Sequence, residues 1–376
     1  MKIVFHLNSM GHGGAERVVS ILSAYFVKMG HDVTITTQWY SDKEYELAKG
    51  VKRVSVGLTP QDEKKGRLGK AWSRLFHLRD FIKKERPDFV ISFCCKANFR
   101  SAFSLFGMPI PLLVSVRNNP LEDYAPHKLA TWYMERKACG CVFQTPDAQA
   151  FFSDAFQKKS KIIFNPLSEV YYTEKEQKQS NMISVRKKEI VNVGRITAQK
   201  NQMLLIRAFA EIADEYPDYI LKIYGDIENQ NIYQKLQNVV IQNKLQNRVR
   251  FMETTDDIPG AIREASAFVL SSDYEGMPNA LIEAMVLGLP CISTDCPCGG
   301  SALLIQNNVS GILTPVGDVG ALSGALKYIL EDPHRAECMG QKARLIKDKV
   351  NPERISKEWL DYIEEIVEER QSGIHG

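Results

Sequence analysis

Residues Ser271 to Thr294 read SSDYEGMPNALIEAMVLGLPCIST, and the fold of the whole chain is read outward from them. Between Asn279 and Gly288 every side chain except those of Asn279 and Glu283 is apolar or small, so the segment is expected to be buried on nearly all sides. Glu275 and Gly276 fall in a loop, Pro278 sits where first-turn prolines are favoured, and Gly288 with Pro290 ends a helix. Glu283 then lies one turn beyond Asn279 on the same face, and both look toward the open end of a sheet. Burying an unpaired carboxylate costs roughly several kcal/mol, so Glu283 needs a partner. Two kinds are open: an arginine or lysine of the core, or the neighbouring hydroxyls of a ribose, which a carboxylate can accept from in pairs.

The strands on either side of this stretch, AFVLSS and PCIST, belong to a longer series. EIVNVG precedes a helix from about Asn201 to Glu215, YILKIYG precedes another, and VRFME follows. The same rhythm runs earlier in the chain: KIVFHL, a helix from Ala15 to Lys28, then DVTITTQ, DFVISF and PLLVSV. Short β-branched runs alternating with helical periods predict βαβ units and parallel sheets covered by helices. Between the two series the polar stretch NPLSEVYYTEKEQKQSNMISVRKK reads as a linker and exposed loop near residues 165–187. The fold class is therefore α/β, two doubly wound Rossmann-like domains, the first over 1–165 and the second over 166–350, consistent with a length too great for one ordinary core.

Composition bounds the function. Hydrophobic residues make up 44% and charged residues 25%, so the chain is globular rather than extensively disordered. A net charge of +3 argues against a nucleic-acid binder working through bulk charge. No stretch approaches the ~18 uninterrupted apolar residues of a membrane span, and the opening MKIVFHLNSMG reads as a first strand rather than a secretory signal. The expected location is the cytoplasm, with peripheral attachment to the inner face of the plasma membrane as the alternative. The eight cysteines form no C-x-x-C and have no histidine cluster beside them, so they are expected to be reduced and structural, with no metal site.

Ligands of such sheets bind beyond the carboxyl ends of the strands. After the first strand, Gly11, Gly13 and Gly14 precede a helix, which suits close backbone approach to a phosphate. The spacing is not G-x-G-x-x-G, and the second strand ends in Gln38 and Trp39 where a dinucleotide fold would carry an acid, so a nicotinamide-dependent oxidoreductase is disfavoured. After EIVNVG come Arg195 and Lys200, two cations at a helix start, against the usual dipole preference. An anion held between them removes the conflict, with a planar guanidinium suited to bidentate phosphate contact.

Together EGMPNALIE, an E-x7-E pattern with Glu275 and Glu283, VGRITAQKN and GGAERVV resemble the retaining glycosyltransferases of family 4, which share the two-domain GT-B fold, over essentially the whole chain. The resemblance implies that Glu283 binds the ribose of a nucleotide, that Arg195 and Lys200 bind its diphosphate, and that Glu275 contacts the donor sugar. Gly13 and Gly14 would close over the diphosphate and donor sugar, and Gly276, Met277, Pro278 and Asn279 complete the donor loop. It also implies a C-terminal segment, 351–376, whose helix returns to the first domain, with hinges near Asn165 and Asn351. The donor expected is a nucleotide-diphosphate sugar, UDP being the preferred nucleotide. The acceptor expected is a glycan or a lipid-linked saccharide. Two departures stand out. Where many relatives carry a donor-reaching histidine this chain has Arg117, Asn118 and Asn119, of which Asn118 is the expected substitute, and the loop CPCGGSALL lacks an acidic residue common there.

The D-x-D pattern is absent, so no bridging Mg²⁺ and no other cofactor is expected. Rival readings within the fold are a non-catalytic sugar-nucleotide-binding subunit and a nucleotide-sugar epimerase. From Lys64 to Arg86 nine Lys or Arg stand against two acids, with Trp72, Leu75, Phe76, Leu78 and Phe81 interleaved. This predicts a basic amphipathic helix able to lie on an anionic membrane, or else a solvated helix packed on the first domain.

Overall fold

Runs such as IVFH and FVISF show no polar alternation because their strands are covered on both faces, the signature of a parallel sheet. The computed structural model describes residues 1–11, 13–173, 185–253, 255 and 257–373. Two units emerge, Met1–Pro166 with Asn351–Gly376, and Leu167–Val350.

The first unit holds seven parallel strands: β1 (Lys2–His6), β2 (Asp32–Thr37), β3 (Lys52–Ser55), β4 (Phe89–Phe93), β5 (Leu112–Ser115), β6 (Gly140–Phe143) and β7 (Ser160–Ile162). Their order is β3-β2-β1-β4-β5-β6-β7, with Phe5 of β1 level with Ile35 of β2 and Ile91 of β4. The order reverses between β1 and β4, the switch point at which ligand crevices open in doubly wound sheets. Helices α1 (Gly14–Lys28), α2 (Arg67–Glu85) and α3 (Cys95–Ser104) follow β1, β3 and β4. The Pro352–Gln371 helix packs into this unit: Trp359 is fully buried and stacks on Phe93 at 5.4 Å, and the Tyr362 hydroxyl donates to the Lys159 carbonyl at 2.6 Å.

The second unit holds six parallel strands, β8 (Lys187–Val193), β9 (Ile220–Tyr224), β10 (Val249–Met252), β11 (Ala265–Leu270), β12 (Cys291–Thr294) and β13 (Ile312–Thr314), in the order β10-β9-β8-β11-β12-β13. Its switch point lies between β8 and β11. The loops that leave these two strands are Gly194–Asn201 and Ser271–Pro278, the two stretches singled out in the sequence.

Three details differ from the sequence reading. Strands β3, β6, β7 and β13 were not foreseen: β3 and β7 carry polar residues in short runs (KRVS, SKI), and β6 and β13 are three or four residues with no period to show. The start of the supposed exposed linker is packed instead: Leu167 and Tyr171 are buried, and the Tyr172 hydroxyl donates to the Lys347 carbonyl at 2.7 Å. Residues 174–184 of that linker lie outside the described residues, and Val185, near its end, is exposed as expected. In the basic segment, α2 begins at Arg67, and its apolar set divides between two faces. Leu78 is buried, Leu75 and Phe81 are half-buried, and Trp72 and Phe76 stand in solvent with Leu68.

Candidate active site

The loop after β8 is shaped by its neighbour after β9. The Ile196 N–H donates to the Asp226 carbonyl at 2.9 Å, so the two loops run side by side and bring Glu228 to Arg195. The Arg195 guanidinium donates to Glu228 Oε1, with both side chains about half exposed. Five residues on, the chain turns inward. Asn201 adopts a left-handed backbone (φ 41°), accepts from the Leu204 N–H at 3.2 Å to cap the Gln202–Ile212 helix, and donates to Asp273 Oδ1 at 2.6 Å. Asp273 N–H in turn donates to the Gln199 carbonyl at 2.8 Å. These contacts lock the two switch-point loops together and aim Lys200 at Glu275, with Nζ 2.5 Å from Oε1.

Glu275 is buried, at 6% exposure, and is held from three sides. Besides Lys200, the Ser272 hydroxyl donates to Oε1 at 2.6 Å. Its backbone is bracketed by the turn before the Gly300–Leu304 helix: the Glu275 N–H donates to the Pro297 carbonyl at 2.7 Å, and the Cys298 N–H donates to the Glu275 carbonyl at 2.9 Å. Gly300 permits this approach, since a Cβ there would lie 1.8 Å from the Gly276 carbonyl oxygen. The loop CPCGG, read from sequence as lacking its acidic group, thus acts through its backbone as a clamp on Glu275.

Glu283 sits in the Asn279–Val286 helix with only 2% exposure, between buried Ile282 and Ala284. Met277 and Pro278 are buried as well, while Asn279 is half-buried at the first helical position. Pro278 is the N-cap residue, one position earlier than the first-turn site expected. Gly288, at φ +75°, closes the helix as read.

In the first unit, the Gly13 N–H donates to the Gly11 carbonyl at 2.7 Å at the start of α1. A Cβ at Gly13 would lie 2.1 Å from Glu16 Oε2, the movable end of a side chain folded back over the turn; Gly14 is the first helical residue. Of the three residues after β5, Arg117 donates to Asn165 Oδ1 and stacks over Phe93 at 5.3 Å, and burial lowers its guanidinium to about 10, leaving it charged at neutral pH. Asn119 accepts from the Leu121 N–H at 3.2 Å to cap the next helical turn. Asn118 is half-buried, and among the described residues its carboxamide makes no hydrogen bond.

The sequence reading set an anion between Arg195 and Lys200. The structure instead gives each cation its own carboxylate, Glu228 and Glu275, so neither charge needs a ligand to explain it. All eight cysteines are free, and burial pushes the thiols of Cys94, Cys95 and Cys296 up to about 12, which keeps them unreactive. Among the described residues no three His, Cys, Asp or Glu side chains gather as a metal site, and no helix is long and apolar enough to cross a membrane.

Residues 12–160 match the family model described as Glycosyltransferase Family 4, and residues 173–346 match the one described as Glycosyl transferases group 1. The chain belongs to the family 4 glycosyltransferases. The chain is 25% identical over 376 residues, 97% of its own length and 99% of the relative's, to the GalNAc-alpha-(1->4)-GalNAc-alpha-(1->3)-diNAcBac-PP-undecaprenol alpha-1,4-N-acetyl-D-galactosaminyltransferase of Campylobacter jejuni. Over a shorter stretch, 37% of this chain and 36% of the relative, it is 32% identical to the UDP-Gal:alpha-D-GlcNAc-diphosphoundecaprenol alpha-1,3-galactosyltransferase of Escherichia coli. Among solved structures, that of Anabaena Alr3699/HepE in complex with UDP and glucose has a TM-score of 0.80 at 19% identity, covering 97% of this chain and all (100%) of that one. The fold of this glycosyltransferase is GT-B.

Three parts of the candidate site escaped the sequence reading. Glu228 follows a strand that was recognised, yet nothing in ENQNIYQ marks it as the partner of Arg195. Ser272 is one small polar residue among several. The clamp by residues 297–298 uses backbone atoms, which any sequence supplies, and only the close approach at Gly300 left a trace, as the second of two adjacent glycines.

Proposed function

We propose that this glycosyltransferase moves a hexose or N-acetylhexosamine from a UDP-sugar to a polyprenyl-diphosphate-linked saccharide, with retention at the anomeric carbon and without a metal, in the assembly of a surface polysaccharide or glycoconjugate. The observation that carries the reading is the joining of the two switch-point loops through Lys200 and Glu275, in the loop that leads into the helix carrying the buried Glu283. Undecaprenyl-diphosphate acceptors in the names of two relatives, and UDP with glucose in a neighbour of the same fold, support the two substrate classes.

In this reading residues 166–350 hold the nucleotide sugar and residues 1–165, with the returning helix of 351–376, hold the acceptor. Glu283 accepts from the ribose hydroxyls, and Gly276 to Asn279 line the donor. As the C1–O bond breaks, negative charge builds on the leaving diphosphate. Lys200 and Arg195 stabilise it by preorganised electrostatics, commonly the largest catalytic effect. Both must then exchange carboxylate partners for phosphate oxygens: Arg195 leaves the half-exposed Glu228, and Lys200 bridges from Glu275 to the β-phosphate. The leaving phosphate takes the proton of the acceptor hydroxyl as that oxygen bonds to C1, so no carboxylate nucleophile is required. In the first domain, Asn118, with its uncommitted carboxamide, and the Gly13–Gly14 turn are the groups suited to a sugar and a phosphate.

The test is a thermal shift with UDP, GDP, ADP and NAD in EDTA, followed by transfer assays with UDP-sugars. A ligand at 100 times its dissociation constant adds about 2.7 kcal/mol of stability. A shift with UDP that disappears in Glu283→Ala, and turnover at least about tenfold lower in Arg195→Ala and Lys200→Ala, are expected. A shift with NAD and none with UDP overturns the reading.

The reading extends to an anionic membrane surface contacted by α2. Its outer stripe, Leu68, Trp72 and Phe76, is exposed, Trp72 stacks on Phe76 at 5.9 Å, and Lys64, Arg67, Lys83 and Lys84 lie on the same segment. Co-sedimentation equal for anionic and neutral liposomes would remove this contact.

A further inference from the structure

The switch point of the first unit carries a cation with no counter-charge. Arg100 of α3 reaches back to the ends of the strands, where its Nη1 donates to His6 Nε2 at 3.1 Å and to Asn8 Oδ1 at 3.2 Å. The tautomer of His6 follows from its other neighbour. The Thr36 hydroxyl donates to the Phe5 carbonyl at 3.0 Å, so it accepts from His6 Nδ1–H, also at 3.0 Å, and Nε2 is left as the acceptor for the guanidinium. His6 is fully buried, and burial lowers its pKa well below the usual value, which keeps it neutral. Two neutral acceptors therefore use both hydrogens of Nη1 and fix the plane of the guanidinium.

Nothing comparable faces the other edge. Among the described residues Nε and Nη2 of Arg100 meet no acceptor, and neither is among the enclosed unpartnered atoms, so the two-nitrogen edge is open to solvent. The charge that acts on it is another cation, Arg74 of α2, and burial together with that charge lowers Arg100 to about 10. Arg74 likewise has no carboxylate partner among the described residues. Beside them, the Gln38 N–H donates to the Asn8 carbonyl at 2.9 Å, and the Gln38 carboxamide, at 5% exposure, leaves both its oxygen and its nitrogen without a partner. Two guanidiniums within mutual repulsion, one pinned at the carboxyl end of β1 so that its bidentate edge stays free, make an anion site.

We propose that Arg100, with Arg74 beside it, binds the diphosphate of the acceptor, Nε and Nη2 of Arg100 gripping two oxygens of one phosphate. His6 and Asn8 are positioning residues that aim the guanidinium. The assignment rests on the proposed reading that the acceptor is diphosphate-linked; the cations proposed for the donor diphosphate, Arg195 and Lys200, are in the other unit.

The full chain saturated with UDP is titrated calorimetrically with geranyl diphosphate, inorganic pyrophosphate and inorganic phosphate. Geranyl diphosphate is expected to bind with UDP present, and Arg100→Gln to weaken it by at least about tenfold, as loss of a charge-assisted pair implies. Arg74→Gln, which leaves the pinned Arg100 intact, is expected to weaken it by a few-fold and keeps the test open if Arg100→Gln fails to fold. UDP affinity is expected to stay unchanged in both variants. No binding of geranyl diphosphate beside UDP, or equal binding by wild type and both variants, overturns the proposal. Inorganic phosphate binding as tightly as the two diphosphates would make this a free-phosphate site and overturn the acceptor assignment. Failure of the donor reading shows separately, as absence of UDP binding while geranyl diphosphate still binds in an Arg100-dependent way.

Discussion

Replacing Lys200 by methionine removes the cation from Glu275 and keeps the volume of the stem. The carboxylate side chain is only 8% exposed and the lysine 16%, so solvent screens the pair poorly. Breaking a buried pair from one side typically costs about 3–5 kcal/mol, because the remaining charge is left dry. Here an upper bound applies as well. A stranded glutamate can escape by taking a proton, at about 1.36 kcal/mol for each pH unit between an ordinary value near 4.3 and the pH of the experiment. At pH 7 that ceiling is about 3.7 kcal/mol, and at pH 5 about 1 kcal/mol. The sign is therefore definite: the variant binds a proton on folding, so its deficit relative to wild type shrinks as pH falls from 7 to 5. Because Ser272 still donates to Oε1, about 2–3 kcal/mol at pH 7 is expected. Urea denaturation followed by far-UV circular dichroism at both pH values reads it. All four tryptophans, Trp39, Trp72, Trp132 and Trp359, lie in the first unit, so their emission serves as an internal control. Lys200→Met combined with Glu275→Gln should recover most of the loss. A deficit below about 0.5 kcal/mol that is the same at pH 7 and pH 5 would refute the argument that this pair is effectively buried.

Other consequences follow from single contacts. Trp359→Ala empties the space beneath Phe93 and should cost about 3–5 kcal/mol, lowering the melting point of the first unit by on the order of 10 °C; a shift under about 2 °C would mean that the returning helix does not anchor through this residue. Gly300→Ala drives a methyl into the Gly276 carbonyl and should displace the clamp on Glu275, costing about 1–3 kcal/mol and diminishing the thermal shift with UDP; an unchanged UDP response would leave the clamp without a part in donor binding. His6 titrates well below 6.5 in the folded chain and near 6.5 when unfolded, so the unfolded state binds more protons as pH falls. Stability should then decline below pH ~6.5 by up to about 1.36 kcal/mol per unit from this group, Arg100 being the charge that acts on it among the described residues. Urea midpoints at pH 7, 6 and 5 should show a shallower decline in His6→Gln, and equal slopes would remove His6 from the account.

Much of this protein was legible before folding was considered. Continuous apolar runs separated by helical periods determine parallel sheets, because a strand covered on both faces has no polar side to display. The burial of Glu283 was equally legible, as one carboxylate inside an apolar helix, and so was the place of the loops after EIVNVG and AFVLSS at the carboxyl ends of two strands. The short strands β3, β6, β7 and β13 were not legible, since three or four residues hold too little of a period to stand out from a loop.

What only the tertiary structure decided is which groups meet. Lys200 and Glu275 are 75 residues apart, Arg195 and Glu228 33, and His6 and Arg100 94. A periodic pattern states which face a side chain takes, and it is silent on what stands opposite, because that depends on strand order and register across helical crossovers. Arg195 and Lys200 looked alike in the sequence, two cations at one helix start. The fold turned one toward a half-exposed Glu228 and the other onto a buried Glu275, and it left Arg100, which nothing in its own segment distinguishes, with an open guanidinium edge at the switch point of the first sheet.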